Sequence, residues 1–430
     1  MEDPRYSKST KFLHRAEKSI PLGSQTFSKS RTQYPVGVSP LFMHKANGAY
    51  VWDIDGNKYI DLVNSLAAIT IGYKNKKIDN SVRKQMKKGS IFSLPGILEA
   101  EVAELIIETV PSAEMVRFAK NGSDVTTAAI RLSRAYTGKE EIAFCGYHSW
   151  QDWYIGSTSM NKGVPKDIVK LSHRFIYNDI ESLRRIFHTR SNKIAAVILE
   201  PMTSEYPKNN FLREVKDLAK KNNSVLIFDE TITGYRYSIG GAQLEFNVIP
   251  DLTTLGKGIA NGYPLSAIVG NREIMKEIEN IFFSGTFGGE LLSLAAAKTV
   301  IQMHLNLDIT NNIASVGSKI ALEIQKMINS YKIEEFLHIS GHPSWKFLNW
   351  TGNEKFNSQM IKTYFMQEMF KRGVLVLSTH NNSLSLTEKL SEQVVNVYGE
   401  VISDLSKSIA DASLLSKLHV KPIQPLFTLR

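Results

Sequence analysis

Cysteine is all but missing from this chain: Cys145 is the only one in 430 residues. No disulfide can form within it, and a reducing cytoplasm is the expected compartment. Long apolar runs are missing too, and none approaches the roughly 18 residues of a membrane helix. The opening Met1-Glu2-Asp3-Pro4-Arg5-Tyr6 is polar and lacks the apolar centre of a secretory signal. There is no concentrated basic tract. The formal charge is +10, but the lysines are scattered, often as pairs such as Lys87-Lys88 and Lys220-Lys221. Nucleic acid is therefore not the expected partner, although a basic surface would help to gather anionic substrates. With one cysteine there is no Cys pair, and no metal site is expected.

What remains is the balance of an ordinary globular protein, 43% hydrophobic and 22% charged. The length allows two domains and a large core. Alternating residues on both sides of Asp55-Gly56, Ala49 to Ile54 and Lys58 to Leu62, predict a hairpin. From residue 95 onward helical and strand patterns alternate. Val116–Ala119, Glu141–Cys145, Ile194–Leu199, Ser224–Glu230, the stretch before Lys257 and Ser266–Val269 read as strands. Val125 to Tyr136 reads as a helix, and further helices are expected around 356–371 and 385–412. Such alternation predicts a mostly parallel sheet covered by helices on both faces.

Polar residues fall at or just past the ends of these strands: Ser123, His148, Glu200, Asp229 and Lys257. In open α/β sheets that edge is where ligands bind. Lys257 lies between two glycines in Thr253-Thr254-Leu255-Gly256-Lys257-Gly258, and small neighbours let a planar group approach. Asp229 ends an apolar strand 28 residues earlier. A lysine and a carboxylate at neighbouring strand ends are what pyridoxal phosphate requires, one as the Schiff-base amine and the other as partner of the pyridinium nitrogen. Lys257 would also serve as the base that moves the substrate proton. Asn121-Gly122-Ser123 at a helix start would offer backbone N–H groups and a hydroxyl to a phosphate, or would simply cap the helix at Ser123 or Asp124. Tyr147 or His148 would stack on a cofactor ring, or either is an ordinary core aromatic. Thr286, in a glycine-rich turn, is a second hydroxyl for a phosphate. The loop Gly156 to Gly163 has the small residues of a lid, or is a plain surface loop.

Other chemistries fit less well. A nucleotide phosphate loop needs Ser or Thr after its lysine, and Gly258 stands there. A non-catalytic interaction protein would have no use for the paired lysine and carboxylate.

Taken together, these residues resemble the class III, fold-type I pyridoxal-phosphate aminotransferases, and within them the glutamate-1-semialdehyde 2,1-aminomutase branch. The resemblance runs from Gly48-Ala49-Tyr50-Val51-Trp52-Asp53 to Pro422-Ile423-Gln424-Pro425-Leu426-Phe427. Its most specific parts are Asp229 to Arg236 and the Lys257 segment. It implies an α/β fold: a large domain over 61–325 with a mostly parallel, seven-stranded type of sheet, and a smaller α+β domain from 1–60 and 326–430. It implies Lys257 as the Schiff-base lysine, Asp229 on the pyridine nitrogen, Tyr147 on the ring, and Gly122 and Ser123 on the phosphate. His148 and Thr231 join the cofactor contacts. Thr286 would reach the phosphate of a neighbouring subunit, which makes the expected assembly a homodimer. The substrate would be a small amino or carbonyl compound.

The sequence departs from the family pattern on the substrate side. Ser149 replaces a glycine, Glu205 stands where the aminomutases have Asn, and the expected substrate arginine has only Arg31, displaced by one. Arg31 and Glu205 are the candidate substrate residues. A transaminase acting on another carbonyl compound, such as a sugar or surface-polysaccharide precursor, is the alternative.

Overall fold

In the computed structural model residues 3–425 are described. Leu426 and Phe427, which close the matched stretch, lie outside them, as do the first two residues. After the helix Ser7–Ala16 come β1 (Met43–Asn47), β2 (Tyr50–Asp53) and β3 (Lys58–Asp61). The expected hairpin joins β2 and β3, with Val51 opposite Tyr59. Gly56 makes its turn at φ +94, and the Asp53 carboxylate closes it by accepting the Asn57 N–H and the Tyr59 hydroxyl, both at 2.8 Å.

Seven strands follow: β4 (Met115–Ala119), β5 (Glu141–Cys145), β6 (Ser172–Arg174), β7 (Ile194–Leu199), β8 (Val225–Glu230), β9 (Leu252–Leu255) and β10 (Ser266–Gly270). They form one sheet in the order β4-β10-β9-β8-β7-β5-β6. Neighbours from β9 to β6 pair in parallel, whereas β10 runs antiparallel to both β4 and β9. Every residue of β7 and β8 is buried, so these strands read as continuous apolar runs, as they must when helices cover both faces. The faces separate by parity. Ala196, Ile198, Val225 and Ile227 pack with the helix Gly122–Thr137. Val197, Leu199, Leu226 and Phe228 pack with the helix Phe211–Lys221. Carrying the alternation forward puts Asp229 and Glu200 on the Gly122–Thr137 face and Glu230 on the other.

The chain closes with β11 (Leu337–His342), β12 (Trp345–Trp350), β13 (Val374–Leu375) and β14 (Thr379–Asn381). The helices Ile309–Ser330, Ser358–Lys371 and Glu388–Ala410 accompany them. Two small sheets form, β1-β2-β3-β13 and β11-β12-β14. Because β13 lies parallel to β3, the two ends of the chain share one sheet. Residues 3–75 with 312–425 make one compact unit and residues 76–311 the other. The stretch just after β3 goes with the first unit because Asn64 Nδ2 bonds the Asn381 carbonyl at 2.7 Å.

His338 and His342 have the i, i+4 spacing that gathers metal ligands on a helix. They lie in β11, where four residues span roughly 13 Å. Among the described residues no group of three His, Cys, Asp or Glu is placed to hold a metal ion, and no helix is long and apolar enough to cross a membrane.

Candidate active site

The site is built at the carboxyl ends of β5, β7, β8 and β9. Asp229, on β8, is only 5% exposed, and a carboxylate there needs donors. It has four: His148 Nδ1 at 2.8 Å, Thr254 Oγ1 at 2.9 Å, Thr231 Oγ1 at 2.5 Å and Thr231 N at 3.2 Å. Burial alone would raise its pKa. The bond and charge of His148 and the two threonine hydroxyls outweigh that and hold it below the ordinary carboxylate value.

His148 is itself buried, stacked on Trp153 with ring centres 6.1 Å apart and edge-on to Tyr154. Its Nε2 lies 2.9 Å from the Cys145 carbonyl, and a carbonyl can only accept. Acceptors stand at both nitrogens, so the ring is fixed in place between Asp229 and the Cys145 carbonyl. His148 is thus placed behind Asp229. Tyr147, one residue earlier, is the aromatic left open, 52% exposed and edge-to-face with Tyr154 at 5.5 Å. Its backbone N–H donates to Glu200 Oε2 at 2.9 Å. Glu200, just past β7, has its pKa pushed up to about 7 by burial, with His148 pulling down and Asp229 pushing up.

Lys257 follows Gly256 at the end of β9 and opens a 3-10 turn, Lys257–Ala260. Its φ is +42, a left-handed conformation that costs a non-glycine residue about 1–2 kcal/mol. Burial lowers the pKa of its amine, against the pull of Asp229 and Glu200. Thr231 packs between this turn and the helix start. A Cβ on Gly122 or on Gly256 would come 3.1 Å from its methyl group, so both positions suit glycine. Ser266 Oγ ties Asn121 O at 2.8 Å, and Asp124 takes the Asn121 N–H at 2.8 Å. The helix begins at Gly122, three residues before the expected Val125. Its first turn sets the N–H groups of Gly122 and Ser123 beside the strand ends, where the helix dipole favours an anion.

Other expected residues are not among these contacts. Thr286 is exposed in the turn after Gly285. Arg31 belongs to the first unit and binds Glu17 at 2.5 Å. Glu205 is exposed and paired with Lys208 at 3.1 Å. In the loop expected as a possible lid, Thr158 is fully buried, and Ser157 Oγ bonds the Tyr154 carbonyl at 2.6 Å. Sequence reasoning passed over Thr254 as a partner of Asp229 and Glu200 as a partner of Tyr147. Both are contacts between strands, invisible in local spacing.

The donor set suits pyridoxal phosphate: an amine of lowered pKa, an ionised buried carboxylate, a half-exposed aromatic ring and a helix N-terminus for the phosphate. The chain belongs to the class III aminotransferase family, whose model matches residues 33–397, and is a pyridoxal-phosphate-dependent enzyme. It is similar to the 3-aminobutyryl-CoA aminotransferase of Cloacimonas acidaminovorans, 31% identical over 95% of this chain and 100% of that one. It is also similar to the glutamate-1-semialdehyde 2,1-aminomutase of Alkaliphilus oremlandii, 39% identical over 75% of this chain and 80% of the relative. Among solved structures, the FumI protein of Sphingopyxis sp. MTA144, which holds pyridoxal phosphate, superposes with a TM-score of 0.88 at 24% identity. That likeness covers 97% of this chain and 99% of the other and is one of fold, fold-type I.

Proposed function

We propose that this enzyme moves an amino group within glutamate-1-semialdehyde, as an aminomutase, with Lys257 and Asp229 at the centre of the chemistry. The observation that carries the reading is the pair itself: an amine whose pKa is lowered and a carboxylate kept ionised, at the ends of adjacent strands. Bound there, pyridoxal phosphate supplies an electron-withdrawing ring that takes up the amino group and returns it. Asp229 accepts a hydrogen bond from the ring nitrogen and keeps the proton on that atom. Lys257 would hold the cofactor and would carry the proton to and from the substrate carbon; its lowered pKa favours the free base this needs. Tyr147 offers a face to the ring, and the N–H groups of Gly122 and Ser123, with the Ser123 hydroxyl, receive the phosphate. Thr231 and His148 act through Asp229, by orienting it and keeping it charged.

The assembly we infer is a cytoplasmic homodimer in which Thr286 serves the neighbouring site. Exposed apolar side chains around that turn support it: Phe282, Phe287, Leu94 and Ile97. The two segments are tied together by Leu291 N–H to Ser90 O at 2.8 Å.

A second reading, a two-substrate transaminase, is favoured by the substrate side. Glu205 and Arg31 are engaged by Lys208 and Glu17. One experiment separates the two. Enzyme loaded with pyridoxamine phosphate is given glutamate-1-semialdehyde and no other donor. Many turnovers to 5-aminolevulinate are expected. Conversion that halts at one equivalent per site and resumes when an amino acid is added would make it a transaminase. The same enzyme in its pyridoxal form, reduced with borohydride, should carry the cofactor on the peptide containing Lys257; label elsewhere would overturn the site.

A further inference from the structure

Strands β5 and β7 are neighbours, with Cys145 opposite Leu199. The residues that leave their ends, Gly146-Tyr147 and Glu200, therefore stand side by side. Glu200 Oε2 accepts the Tyr147 N–H at 2.9 Å, and among the described residues this is the one hydrogen bond to its carboxylate. Gly146 sits at φ +101, and a Cβ there would fall 2.7 Å from that same oxygen. Position 146 thus has two reasons to lack a side chain, and one of them is room for the carboxylate. His148 is fixed separately, through Asp229 and the Cys145 carbonyl. The turn between the end of β5 and His148 has Glu200 as its anchor, and that turn presents the open ring of Tyr147.

We propose that Glu200 is a positioning residue: by holding the Tyr147 N–H it sets the Gly146–Tyr147 turn and so the angle at which the Tyr147 ring receives the cofactor. This rests on the reading of Tyr147 as the residue against the cofactor ring. A backbone N–H can be satisfied by any acceptor, including water. A buried carboxylate is a costly acceptor, so its presence here answers a need for rigidity more than for satisfaction. His148, Asp229 and Lys257 are the charged groups facing Glu200, and Tyr147 is the group through which it acts.

The test compares Glu200→Gln with Glu200→Leu in the holoenzyme. Both keep the size of the side chain; glutamine can still accept the N–H and leucine cannot. The readouts are the cofactor dissociation constant, from dialysis of holoenzyme, and the visible circular dichroism of the bound cofactor, which reports its orientation. Glu200→Leu should raise the dissociation constant by about tenfold or more, the scale of one lost orienting hydrogen bond, and should shrink the dichroism. Glu200→Gln should restore both. Tyr147→Ala should resemble Glu200→Leu, and the double variant should be no worse than the more severe single one. Additive losses, or a Glu200→Leu enzyme with the wild-type dissociation constant and dichroism, would overturn the inference while leaving Tyr147 in place. A Tyr147→Ala enzyme that binds and orients the cofactor like wild type would overturn the inference together with the reading beneath it.

Discussion

Replacing His148 by phenylalanine removes its hydrogen bonds to Asp229 and to the Cys145 carbonyl and keeps an aromatic ring. The aromatic ring remains to pack on Trp153 and Tyr154. Asp229 keeps three of its four donors, those from Thr231 and Thr254, and loses the imidazole. A hydrogen bond to a charged group contributes about 1.5–3 kcal/mol, and the lost bond to the Cys145 carbonyl about 1 kcal/mol more. The variant should therefore be less stable by about 2.5–4 kcal/mol near neutral pH. The sign with pH follows from the direction of the Asp229 shift. A depressed carboxylate pKa contributes stability above the unfolded value and loses it as pH falls through the folded value. The gap between wild type and His148→Phe should be full at pH 7 and narrow in acid. With Asp229 in the proposed role on the ring nitrogen, the acid limb of the activity profile should move to higher pH, and kcat should fall about ten- to a hundredfold. Urea melts at a series of pH values and a pH–rate profile measure both effects. A variant with the wild-type acid limb and wild-type melts would show that the threonines alone sustain Asp229, and the electrostatic argument would be wrong.

Glu200 titrates with the opposite sign. Its pKa is raised from 4.5 to about 7, so the folded state favours the protonated form, and this contribution is lost as pH rises. In cofactor-free protein Glu200→Gln should be more stable than wild type above pH 7, by up to about 3 kcal/mol, with the difference closing below pH 4.5; a gap that widens toward acid would refute this. For the proposed dimer, sedimentation should give twice the 48.3 kDa of one chain, and Phe282→Glu with Leu94→Glu should halve it. A wild-type protein that sediments as a single chain would remove the shared site.

Much of the large sheet was legible because its central strands are buried on both faces. Glu141–Cys145 and Ile194–Leu199 are β5 and β7 residue for residue. That Asp229 and Lys257 fall at the ends of adjacent strands was readable for the same reason, since continuous apolar runs fix where each strand stops. Other features depend on contacts far apart in the chain. Apolar periodicity begins at Val125, so the helix was expected there, but Asn121 and Asp124 close its first turn from Gly122. Tyr147 and His148 were interchangeable in the sequence because Gly146 breaks the strand alternation; only the turn decides which ring stays open. Nothing in Ser266–Gly270 marks a reversal of direction, because an apolar run reads the same both ways. Alternation did place Glu230 away from Asp229, and there it accepts hydrogen bonds from Thr233, Ala242 and Gln243.

The reversed strand β10 bears on how the protein is made. β4 and the Asn121–Ser123 turn that follows it emerge early from the ribosome, yet the partner of β4 in the sheet is β10. The bond from Ser266 to Asn121 spans 145 residues. Until that loop closes, β4 is an unpaired edge, and the strands made between carry a site without its wall. Long-range closures of this kind are slow, because the chain must lose loop entropy before the contact returns anything. A growing chain that ends before residue 266 can therefore hold Asp229 and Lys257 and still lack the tie on the turn that opens the Gly122–Thr137 helix.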